Sequence, residues 1–155
     1  MFLTFVIYFE LLFIFHLLSF PLKEYWLDVC SSNGWELEQV WLTHSHWDHS
    51  KGVEGLKNKQ VWVHRNESLR GWNGPSNREW ANAANTSVIQ KIGSLELEAH
   101  CTPGHTPGHM TFIGEGVVIS GDCMFLGRSG RTELFGGDVV AQSHSLKHLR
   151  NRLSR

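Results

Sequence analysis

Cysteine is scarce in this chain: only Cys30, Cys101 and Cys123 occur, at irregular spacing and with no CxxC pair. Three thiols so placed build neither a disulfide framework nor a thiolate zinc knuckle, so a reducing compartment, the cytoplasm, is expected. An excess of one charge sign is also missing. Fourteen lysines and arginines face fifteen aspartates and glutamates, for a net charge of -1. There is no basic field for nucleic acid and no acidic run suggesting disorder. Internal repeats and low-complexity stretches are absent too, and 155 residues suffice for one core but hardly for two.

What is present divides at residue 21. Residues 1–21 form an apolar leader of uncertain origin, interrupted within the first twenty only by Thr4, Glu10, His16 and Ser19. Its length would just span a bilayer. However, no basic residue precedes it, no small-residue cleavage site ends it, and Glu10 at its midpoint would cost about 2.5–3.5 kcal/mol on insertion scales. A membrane partner, anchoring or export is therefore expected only if the leader is genuine.

From Pro21 onward, short apolar runs alternate with turn signals, as in an α/β or α+β protein. "LKEYWLDVCSSNG" has helical spacing and a helix stop at Asn33-Gly34. "ELEQVWLTH" reads as a strand delivering His44, "KGVEGLKNK" as a short helix, and "QVWVH" as another strand. Residues 71–85 are rich in Gly, Pro and Asn, predicting a rim loop with one helical turn near Arg78 to Ala84. Two strands joined at Gly93-Ser94 follow, then a hairpin turning at Gly114 to Gly116, and a helix from Asp138. Hairpins with helices between them exclude an all-parallel sheet.

"THSHWDHS" places three histidines and an aspartate within six positions, His44 to His49. Residues i and i+2 of an extended segment project the same way, so His44 and His46 can share one ion, while Asp48 and His49 can face a second. Imidazole with carboxylate suits zinc, and also iron or manganese. His105 and Asp122 follow two later strands, so three strand ends present ligating groups at one sheet edge. Four tryptophans (Trp35, Trp41, Trp47 and Trp62) flank or enter the cluster and are expected to pack in the core.

"HSHWDH" at 44–49 resembles the HxHxDH signature of the metallo-β-lactamase superfamily, and "TPGHTPGH" with His105 and "ISGD" with Asp122 are similar to that family's later motifs. The resemblance implies an αββα sandwich with metals at one edge, here incomplete. Its domain would cover 22–155, lacking the N-terminal strands and the C-terminal metal-histidine segment of relatives. It also implies that His44, His46 and His105 hold one metal, that Asp48 and His49 hold a second, and that Asp122 bridges the two. One or two Zn2+ ions are expected, with Fe2+ as the alternative.

"GRSGRTELFGGD" at 127–138 resembles the glyoxalase II and persulfide dioxygenase branch. Arg131 falls where glyoxalase II grips a glutathione carboxylate, a role suited to a bidentate guanidinium. Glu133 stands where that family has a tyrosine, and an Arg131–Glu133 ion pair is the structural alternative. The implied function is metal-dependent hydrolysis of a thioester or related ester by a metal-activated hydroxide, with Asp48 and Asp122 fixing the ions and taking up the proton. Two other readings remain: a mononuclear iron persulfide dioxygenase using His44, His105 and Asp122, or an inactive truncated fragment. His109 is expected to support the site from behind, Cys123 to be buried and inert, His64 and His100 to be structural, and His144 and His148 to lie on the surface.

Overall fold

In a computed structural model of the chain, residues 6–8, 11–13, 22–56, 58–92 and 95–154 are described. Within the apolar leader these include β1 (Val6–Tyr8) and β2 (Leu11–Phe13), an antiparallel pair. The rest of the leader lies outside the described residues. No helix among the described residues is long and apolar enough to cross a membrane.

The first helix, α1 (Leu22–Ser32), stops where expected: Asn33 N–H and Gly34 N–H bond back into its last turn, and Gly34 turns the chain with φ +68°. Then β3 (Gln39–Trp41) leads into α2 (Trp47–Ser50), which continues as a 3-10 turn over Lys51–Gly55. After β4 (Gln60–His64) comes a second 3-10 turn, Arg65–Arg70, and then β5 (Arg78–Trp80). The sequence predicts a helical turn in that last stretch. Instead Trp80 is buried against Trp41, edge to face with centroids 5.8 Å apart, and the segment extends alongside β4. Burial of an indole overrides the local helical preference of "REWANAA".

Strands β3, β4 and β5 form a parallel sheet. The second sheet is antiparallel and runs β6 (Ser87–Ile92), β7 (Leu95–Cys101), β8 (Met110–Gly114), β9 (Val117–Ile119). The turn between β6 and β7 at Gly93-Ser94 lies outside the described residues. A small pair, β10 (Met124–Phe125) with β11 (Arg128–Ser129), precedes α3 (Val139–Leu153). The main core sits between the two larger sheets, where Trp41 and Trp80 meet Leu97, Ala99, Met110 and Phe112. A second cluster beneath the first sheet joins Cys30 to Val40, Val53 and Val61. Met110 N–H donates to the Thr43 carbonyl at 2.7 Å, joining the sheets at the edge where the histidines lie. At the N-terminus of α3 the Asp138 carboxylate accepts from Val140 and Ala141 N–H, while Arg150 and Arg152 in the last turn suit the helix dipole.

Candidate metal centre

His44 lies three residues beyond the end of β3, His105 in the loop after β7, and Asp122 in the turn after β9, so the predicted strand ends do meet at one edge. Two groups of side chains bring their ligating atoms within 4.8 Å of one another: His44 with His46 and His105, and His44 with His49 and Asp122. His46 Nδ1 and His105 Nε2 stand 2.9 Å apart. His49 Nε2 lies 3.3 Å from Asp122 Oδ1, and His105 Nε2 3.5 Å from Asp122 Oδ2. Asp48 belongs to neither group: its side chain is 57% exposed, with Oδ2 3.6 Å from His49 Nε2.

The outer nitrogens of His44 and His105 are tied down. His105 Nδ1 donates to the Arg131 carbonyl at 2.7 Å; a carbonyl only accepts, so Nδ1 carries a proton and Nε2 is the nitrogen turned inward. His44 Nδ1 pairs with Thr43 Oγ1 at 3.1 Å, while His44 Nε2 is buried with no hydrogen-bond partner among the described residues. A buried polar atom is nearly always satisfied, so an inward lone pair left over in this way fits a metal ion. Burial, reinforced by the neighbouring histidines, pushes His44 well below the usual imidazole pKa. Burial, with the nearby Arg70 charge, brings His46 to about 4. Both are therefore neutral at pH 7, the form that ligates.

His109 is fully used. Its Nδ1 meets Thr102 Oγ1 at 3.0 Å, and its Nε2 accepts from Asp122 N–H at 3.1 Å. The ring thus holds the Asp122 turn while stacking on the His44 ring with centroids 5.2 Å apart, the supporting part expected of it. Two glycines make that turn feasible. Gly121 has φ +49°, and a Cβ there would come within 2.8 Å of His109 Nε2. A Cβ on Gly130 would overlap the Asp122 carbonyl oxygen. Cys123 is buried, and burial raises its thiol to about 11.

Arg131 is exposed at the rim, and its charge contributes to depressing His46. Among the described residues no ion pair joins it to Glu133; that carboxylate instead accepts from Thr132 N–H at 3.0 Å. Two surface and packing expectations change. Trp47, between His46 and Asp48, is 70% exposed at the rim instead of packed in the core. His148 is half-buried, its Nε2 2.9 Å from His100 Nδ1, because α3 lies against β7 there. His64 is structural as expected, pairing with Asn82 O and accepting from Asn66 N–H.

Sequence reasoning missed Glu67 and Gln142. Glu67 is completely buried and bonds to Ser45 and Gly108; Gln142 Nε2 donates to the Cys123 carbonyl at 2.6 Å. Both sit in stretches with no ligand-like spacing, and their partners lie in distant loops.

The profile of the Metallo-beta-lactamase superfamily matches residues 30–153. The chain belongs to the metallo-β-lactamase superfamily. It is 34% identical over 127 residues to a hydroxyacylglutathione hydrolase of Pseudomonas fluorescens (strain SBW25), an alignment covering 80% of this chain and 45% of that protein. The chain thus spans about half the length of that curated relative. The crystal structure of BLEG-1 B3 metallo-beta-lactamase superposes with a TM-score of 0.73 at 24% identity, over 89% of this chain and 74% of that one. TTHA1623 in a di-iron-bound form gives 0.60 at 29% identity, over 84% and 71%. ETHE1 from Myxococcus xanthus gives 0.68 at 21% identity, over 88% and 58%. The fold is that of the superfamily, mixed α+β and consistent with a partial sandwich.

Proposed function

We propose that this chain carries the metal centre of a metal-dependent hydrolase acting on a glutathione-type thioester or related ester. The observation carrying the reading is the convergence of His44, His46 and His105 at the sheet edge, with His44 Nε2 buried and unsatisfied. Membership of the superfamily and the hydroxyacylglutathione hydrolase relative support the reaction class and the substrate class, respectively. In this reading His44, His46 and His105 hold one ion, and His49, Asp122 and Asp48 serve a second. Neutral imidazoles with carboxylates suit Zn2+. When bound, such ions supply Lewis-acid polarisation of a carbonyl and a nucleophile at neutral pH.

The chain's own residues do the rest. The Arg131 carbonyl and Thr43 hydroxyl fix the ring orientations of His105 and His44. His109 holds the Asp122 backbone, which keeps that carboxylate facing His49 and His105. Asp48, exposed beside His49, is placed to accept a proton and release it to water. The Arg131 guanidinium offers a substrate carboxylate a two-pronged partner, and Trp47 gives the rim an apolar wall.

The test is hydrolysis of a hydroxyacylglutathione by the purified, zinc-loaded chain. His44→Ala and Asp122→Ala are expected to abolish turnover, and His44→Ala zinc uptake as well; turnover retained in either variant contradicts the mechanism. One observation favours a second reading. His105 Nε2 lies 3.5 Å from Asp122 Oδ2, so His44, His105 and Asp122 offer two imidazoles and one carboxylate, the set suited to mononuclear Fe(II). One iron per chain, with oxygen uptake on a glutathione persulfide and no thioester hydrolysis, would establish that alternative.

A further inference from the structure

Glu67 lies in the 3-10 turn after β4, far in sequence from both histidine loops, and its side chain is completely buried. A carboxylate so placed is tolerated only where hydrogen bonds replace its water. Its two oxygens are divided between the loops. Oε2 accepts from Ser45 N–H at 2.8 Å and from the Ser45 hydroxyl; Oε1 accepts from Gly108 N–H at 2.9 Å. Arg70 Nη1 donates to the same Ser45 hydroxyl at 3.0 Å, so that oxygen receives one hydrogen and passes its own to Glu67. Ser45 separates His44 from His46, and Gly108 precedes His109 in the loop that carries His105.

We infer that Glu67 is a positioning residue that locks the His44–His46 loop to the His105–His109 loop and so sets the convergence of the histidine nitrogens. The inference rests on the proposed metal site. Holding the Ser45 N–H fixes the peptide from which the His44 and His46 side chains diverge. Holding the Gly108 N–H fixes the other loop relative to it. The Thr43–Met110 bond joins these loops at one point, and Glu67 joins them at a second, through Ser45 and Gly108. Gly108 carries the same signature independently: a Cβ there would stand 2.8 Å from Glu67 N and 3.0 Å from its carboxylate, so the second loop is shaped around this residue.

The experiment uses the full chain, with zinc affinity measured by chelator competition, the visible spectrum of the Co2+-loaded form, and the melt of the metal-free form. Glu67→Gln keeps the volume but turns an amide N–H toward a backbone N–H. Its zinc affinity should fall roughly 10- to 100-fold, the loss typical of partners behind the ligands, and its cobalt bands should change in shape. Glu67→Asp keeps the charge but is one methylene short of spanning both loops, so it should fall between wild type and Glu67→Gln. It provides the same two readouts if Glu67→Gln does not fold. Wild-type affinity and an unchanged cobalt spectrum in these variants, with only the metal-free melt lowered, would overturn the inference while leaving the proposed function intact. A wild-type chain that takes up no metal would overturn both.

Discussion

Among the described residues two groups of histidines come together, and they use their nitrogens in opposite ways. At the sheet edge, His44 and His105 tie their outer nitrogens to Thr43 and Arg131 and turn the inner ones toward each other, beside His46, His49 and Asp122. On the flank of β7, His100 Nε2 meets Glu98 Oε2 at 2.8 Å and His100 Nδ1 meets His148 Nε2 at 2.9 Å. Arg152 then closes that chain with two bonds to Glu98, at 2.6 and 2.8 Å. Both nitrogens of His100 are consumed by neighbours. Imidazole and carboxylate side chains therefore make a candidate metal centre only where their remaining lone pairs share a focus. The flank group instead pins α3 to the second sheet.

The largest difference between the groups should appear on removing one ring from each. His44→Ala should reduce zinc affinity by more than the roughly 10–100-fold expected for losing a supporting partner, while His148→Ala leaves it unchanged. Chelator competition measures both. A next, slightly smaller effect follows from backbone packing: Gly130→Ala forces a Cβ onto the Asp122 carbonyl, and displacing that turn by about 1 Å should lower kcat on the order of 100-fold. The same substitution leaves the Glu98–His100–His148 contacts untouched, so the metal-free melt should move far less than the activity.

Acid should weaken both groups of the metal-free chain. Burial holds His44, His46, His100 and His109 below the usual imidazole pKa, so the unfolded chain binds protons that the folded chain refuses. Stability should therefore fall as pH drops below about 6.5. Around His100 the charged neighbours are Glu98, Arg152 and, when protonated, His148. The Arg152 guanidinium, with His100 also bonded, lowers Glu98 to about 2, so its contribution is present above pH 4.5 and is lost as pH falls toward 2. Thermal melts against pH should show both phases, and Glu98→Gln should remove the lower one. The smallest effect is expected for Gln142→Ala, which gives up the bond to the Cys123 carbonyl and should destabilise by about 1 kcal/mol in denaturant melts.

Much of this arrangement was legible from spacing. The i, i+2 relation of His44 and His46, and polar groups following the apolar runs at 95–101 and 117–119, indicated the correct sheet edge because strand alternation is local. The stop of α1 at Asn33-Gly34 was legible for the same reason. Residues whose environment is set by distant chain segments were not. Trp80 turns its segment into a strand only because Trp41 in its own sheet and Phe112 in the facing sheet wait for it. His148 is covered only because α3 lies against His100. Glu67 has no local pattern at all, since its partners lie 22 and 41 residues away. Trp47 errs in the other direction: an indole between two ligating residues promised packing, yet the tight turn into α2 faces it outward.

The edge group, and not the flank group, is assigned as the metal centre. Zinc content per chain, measured after loading and desalting of wild type, His44→Ala and His148→Ala, tests it most directly. At least one equivalent is expected in wild type and His148→Ala, with a loss of zinc in His44→Ala. Equal zinc in all three, or loss only in His148→Ala, would contradict it.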